Sequence, residues 1–118
     1  MTVNTDDHRQ AAEDIEAILP DLSGSAAGPR ANRALIEMYY GAAFHWIAFK
    51  CQLQYGRHKE NHFKLVSYLR DLGEPAISER WRLVEEIRNG GWYGHQHTPG
   101  HLAQAQALWQ EIRTWALS

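Results

Sequence analysis

Arg88, Asn89 and His95 are the residues whose types and spacing best fit a reaction. An arginine is always charged and grips a phosphate through two parallel hydrogen bonds. A histidine gives or takes a proton near neutral pH. Set at one helix terminus with a polar amide between them, they suit phosphodiester chemistry. The same residues also read as an ordinary helix end. Asn89 or Gly90 would then supply a left-handed cap, with Arg88 beside the negative end of the helix dipole.

Other clusters point less clearly to chemistry. His95, His97 and His101 form a His-x-His pair plus a third imidazole, ligand types that zinc takes, but no cysteine or carboxylate stands among them. No metal and no cofactor is therefore expected. Gly90-Gly91 is too short for a phosphate loop and follows no strand. No Ser-His-Asp order points to a hydrolase triad. Glu85 and Glu86, just before Arg88, are either surface carboxylates or partners that orient its guanidinium. Cys51 is the one cysteine. It excludes an intrachain disulfide, fits a reducing cytoplasm, and reads as a small buried residue.

The composition bounds the rest. The 118 residues are enough for one domain with one core, and 44% apolar with 22% charged residues is ordinary for a globular protein. Five tryptophans and five tyrosines predict a core built on large aromatic anchors. No apolar run is long enough to span a membrane, and the acidic start (Asp6, Asp7) is unlike a secretory signal. The net charge of −2 argues against a protein that coats nucleic acid. Charge is uneven, however. Lys50, Arg57, Lys59, Lys64 and Arg70, with His58 and His62, face only Glu60 over residues 50–70. That stretch is either a polyanion-binding patch or a solvated surface.

The elements that must position these residues are helices. Thr5 or Asp6 caps a first helix to about Leu19, stopped by Pro20, and residues 20–29 read as a loop. A second runs from about Arg30 to Tyr55, apolar nearly all round, and so belongs at the centre of the fold. Gly41, Ala42 and Ala43 would let another helix approach closely. His45, within this run, reads as a hydrogen-bonded core histidine. A third helix spans about Asn61 to Leu72, with Gly73 just past its end. A fourth runs from Pro75 to about Arg88, with Ile77, Trp81, Val84 and Arg88 on one stripe, widened by Leu83 and Ile87. Thr98-Pro99 opens the last helix, whose buried side is Leu102, Ala105, Leu108, Trp109, Ile112 and Trp115 or Ala116. The expected fold is all-α, an antiparallel up-and-down bundle of four to five helices in one domain: N-terminal helix 1–19, loop 20–29 and core bundle 30–118.

Tyr39-Tyr40-Gly41-Ala42-Ala43-Phe44-His45-Trp46 resembles the YYAAFHA segment of many HEPN-domain proteins. In that family a basic, His-containing patch commonly opens the next helix, as in Gly56-Arg57-His58-Lys59-Glu60-Asn61-His62. The helix after it ends in an arginine and a polar residue, followed after a short gap by a histidine, as in Arg88-Asn89 and His95. The resemblance covers residues 30–116. It implies a HEPN-like bundle that dimerises and brings two Arg/His motifs into one cleft. Many such domains are metal-independent endoribonucleases, often toxins of toxin–antitoxin or antiviral systems; others are non-catalytic modules binding a nucleotide, nucleic acid or protein. On this chain it makes His95 the acid/base for the 2′-hydroxyl or leaving 5′-oxygen. Arg88 would stabilise charge on the scissile phosphate, and Asn89 would orient the pair or hydrogen-bond the phosphate. The expected substrate-binding residues are Lys50, Arg57, His58, Lys59, His62, Trp92 and Tyr93. The expected partners are RNA, a second copy of the chain and an antitoxin or other protein, in the cytoplasm and away from membranes. Six residues, including three glycines, separate Arg88 from His95. His97 stands where one toxin subset has a tyrosine, two residues past the histidine.

Overall fold

The computed structural model describes residues 5–23, 29–56, 62–92 and 99–118, and side chains over 5–19, 31–56, 64–90 and 100–118. Over the described residues the fold is an all-α bundle of five helices with antiparallel packing: α1 (Thr5–Ser23), α2 (Pro29–Tyr55), α3 (His62–Asp71), α4 (Pro75–Trp92) and α5 (Pro99–Ala116).

α2 is the central element, as its apolar circumference predicts. It packs against α1, α4 and α5. Ile36, Ala42, Ala43, Trp46, Ile47 and Cys51 are fully sealed from solvent. Two clusters make the core. The larger gathers Tyr40, Phe44, Trp46 and Ile47 of α2 with Leu65 and Leu69 of α3, Trp81 and Val84 of α4, and Ile112 of α5. The smaller joins Leu19 of α1 with Leu35, Ile36 and Tyr39 of α2 and Ala105 of α5. Tyr40 stacks on Trp81, centroids 4.9 Å apart. Gly41 faces α1, where a Cβ would meet Ile15 Cδ1 at 3.4 Å, an ordinary packing distance that does not itself demand glycine.

The α3–α4 corner follows the sequence closely. Gly73 takes a positive φ of 85°. Its N–H donates to the Arg70 carbonyl and that of Glu74 to the Leu69 carbonyl, so the helix end is closed by paired backbone bonds. Ser78 N–H then donates to the Glu74 carbonyl, starting α4 with Pro75 in its first turn. The buried Ser78 hydroxyl donates to the Val66 carbonyl at 2.7 Å and ties α4 to α3.

Two boundaries differ from expectation. α1 does not stop at Pro20 but continues to Ser23, so residues 20–23 are helix rather than loop. A proline forfeits its own bond to the carbonyl four residues back, yet near a helix end it leaves the following donors intact. α4 does not break at its glycines but runs through Asn89-Gly90-Gly91 to Trp92. Glycine lowers helix stability by about 1 kcal/mol without forbidding it. Here the final turns are held by tertiary contacts, with Ile87 packed against the smaller core cluster and Arg88 ion-paired to α2. No described residue other than Gly56 and Gly73 has positive φ, so Asn89 and Gly90 are not left-handed caps.

Candidate functional site around Arg88

Arg88 lies two turns past Trp81 on the face of α4 that meets α2. Its Nε donates to both carboxylate oxygens of Glu37, at 3.0 and 3.2 Å. Its guanidinium carbon lies 4.6 Å from the centre of the Tyr40 ring, a cation–π stack. The side chains of Arg88 and Glu37 remain 30% and 32% exposed, so the pair sits at the rim of the bundle. Burial pushes the Tyr40 hydroxyl up to about 12, with the carboxylates of Glu85 and Glu37 adding to burial and Arg88 opposing it. Tyr40 therefore stays protonated at neutral pH, a neutral platform under a fixed cation.

The sequence reading offered Glu85 or Glu86 as the carboxylate orienting Arg88. The partner is instead Glu37, on α2. Glu86 is salt-bridged to Arg82, at 3.2 Å. Glu85 is half-buried. Burial raises its carboxyl, while the Trp81 indole N–H and the charge of Arg88 pull it back. Glu37 was legible in principle: between Ala34 and Phe49 it is the one Asp, Glu, Lys or Arg. A lone carboxylate on an apolar helix asks for a cation, and Arg88 on a buried stripe asks for an anion.

Asn89 follows on the last turns of α4, half-buried. His95 and Tyr93 lie outside the described residues, as do Arg57, His58 and Lys59. For His62 and Trp92 the structure describes the helical backbone alone. Lys50 is described and is not brought to Arg88 within one chain. It lies 13 positions after Glu37 on α2, about 20 Å along the helix. Its Nζ donates to the Ser118 carbonyl at 2.9 Å and stands 6.0 Å from the Trp115 ring centre. Lys64 and Arg70 are exposed on α3.

Two further groups were only partly foreseen. His45 is hydrogen-bonded as expected, and its partner is His8 of α1, Nδ1 to Nδ1 at 3.1 Å. The Glu16 carboxylate of α1, 15% exposed, accepts the indole N–H groups of Trp46 and Trp109 at 2.9 and 3.1 Å, with Arg113 Nε at 3.2 Å. Cys51 is fully buried, and burial with the Glu74 charge raises its thiol to about 12, so it is not a nucleophile.

His101 stands on α5 beside a groove of about 720 Å³ between α4 and α5, lined also by Leu83, Glu86, Ile87, Gly90 and Leu108. Arg88 is not part of that lining. His97 lies outside the described residues, and among those described no three metal-ligating side chains come together. No described helix is long and apolar enough to cross a membrane.

The described residues thus define a compact five-helix, all-α bundle carrying an arginine–carboxylate–tyrosine constellation at its rim. Comparison with protein-family models, with curated proteins and with solved structures gave no match.

Proposed function

We propose that the chain is a HEPN-like, metal-independent endoribonuclease of the kind found among toxins and antiviral components, acting as a homodimer with Arg88, Asn89 and His95 as its catalytic set. The observation that supports this most is a meeting of two sequence signatures. Tyr40, from the segment that resembles the family, lies under Arg88, from the Arg-polar-gap-His motif. The motif arginine is thereby held in a fixed pose at a partly open rim, as electrostatic catalysis requires. Attack by a 2′-hydroxyl on the adjacent phosphorus breaks the bond to the 5′-oxygen and leaves a 2′,3′-cyclic phosphate. It needs proton transfer and charge stabilisation, which a histidine and an arginine supply.

One observation favours the alternative, a non-catalytic HEPN-like module that binds a nucleotide, nucleic acid or protein. Glu37 already engages the Arg88 guanidinium and would compete with a phosphate for it.

The test is cleavage of a mixed RNA pool in EDTA by wild type, Arg88→Ala and His95→Ala. The enzyme reading expects cyclic-phosphate ends from wild type, and loss of about 10²-fold or more in folded His95→Ala, the scale of acid/base assistance. No cleavage by folded wild type, together with RNA binding that weakens with salt and with Arg88→Ala, would instead establish the binding module.

A further inference from the structure

His8 and His45 meet across the α1–α2 interface, with Nδ1 atoms 3.1 Å apart and ring centres 5.3 Å apart. Phe44 lies edge-on to both rings. His8 keeps only 4% of its surface exposed. A hydrogen bond between two imidazole nitrogens needs one N–H and one lone pair. It forms when both rings are neutral or when one is cationic. Two imidazolium rings would aim donor at donor and place like charges side by side. We propose that this pair is a proton-counting latch: the docked interface holds one proton fewer than the two free rings can take, and acidification releases the N-terminal turns of α1 from α2.

The charged groups on the described residues of the elements packed around the latch are as follows. On α1 the flanking groups are exposed Asp7 and Arg9, and Arg9 donates to Glu13 and lies over the Phe49 ring. On α2 the nearest charges in sequence are Glu37, paired with Arg88, and Lys50, bonded to Ser118. α4 presents Trp81 to Phe44, with Glu85 one turn on. α5 presents Arg113 to the Trp46 ring, paired with Glu16. A neighbouring carboxylate favours the first proton and leaves the second with the same repulsion. The Glu16 bonds hold the middle of α1, so release is confined to the turns around and before Ala12.

Free imidazoles half-titrate near pH 6.5 or so, and excluding one proton shifts the docking equilibrium by up to about tenfold per pH unit below that value. The test is hydrogen exchange of amides in residues 5–15 at pH 7.5 and 5.5, corrected for intrinsic rates, in wild type and His8→Gln. Wild type is expected to lose protection by about tenfold at the lower pH. His8→Gln keeps a hydrogen-bonding side chain that does not titrate, and its protection should be the same at both pH values. Amides of α2 and α4 serve as the internal control. If His8→Gln does not fold, His45→Gln is measured in the same way. Protection in wild type that is independent of pH, or an equal loss in the variant, would overturn the latch.

Discussion

Arg88 has two neighbours that do different things. Tyr40 offers a ring face that holds the guanidinium without neutralising it, while Glu37 neutralises it and fixes its plane. Glu85 stands on the same helix and senses the arginine from a half-buried position. Because burial raises its carboxyl in the folded state, the group favours folding most at low pH. That contribution is lost as pH rises from the unfolded value, near 4.3, through the raised folded one. Glu85→Gln should therefore match wild type in stability at pH 4 and exceed it modestly at pH 7, read by urea midpoints at the two pH values. A variant less stable at pH 7 would show that the Arg88 charge outweighs burial. At this scale the sequence revealed Arg88, because helical periodicity puts it on the stripe of Ile77, Trp81 and Val84. It marks Glu37 as a lone charge on an apolar run but not as the partner of Arg88, because the two lie 51 residues apart on different helices.

Among the helices, α1 is the one that sequence reading undervalued. The sequence places it in the one domain as an N-terminal helix, 1–19, ahead of a core bundle over 30–118. Its Glu16 instead gathers Trp46 of α2 and Trp109 and Arg113 of α5 on one carboxylate. Glu16→Ala would leave two indole donors and a guanidinium without their acceptor in a mostly buried place. The expected loss is about 2–3 kcal/mol of stability, seen as a lower urea midpoint with an unchanged slope. A loss under about 0.5 kcal/mol would mean that water replaces the carboxylate without penalty. Turn chemistry was the most legible feature of the elements. Gly73 and Pro75 mark the α3–α4 corner because positive φ and a missing N–H are local requirements. Pro20 and Gly90-Gly91 misled because each weakens a helix near its end without forbidding it.

For the whole molecule, the all-α architecture and the central place of α2 follow from patterns that need no knowledge of partners. An apolar circumference can be satisfied only by neighbours on several sides. Which charges end up together does not follow in the same way. Lys50, read as part of a polyanion-binding patch or a solvated surface, lies far along α2 from Arg88 and donates to the Ser118 carbonyl just past the last helix. The Glu16 knot has a final consequence. It joins the first helix to the last across 93 and 97 positions of chain. The packing of α2 on α4 and α5 adds to that seam. A chain divided after Gly56 would yield one piece with α1 and α2 and another with α3, α4 and α5; the bonds of Glu16 to Trp109 and Arg113 and the packing of α2 on α4 and α5 would cross the divide, while that to Trp46 would stay in the first piece. The two pieces, produced separately and mixed, should reassemble into one helical particle, detected by co-elution and recovered far-ultraviolet ellipticity. Glu16→Ala in the first piece should weaken that reassembly by roughly 30-fold or more, the equivalent of about 2 kcal/mol.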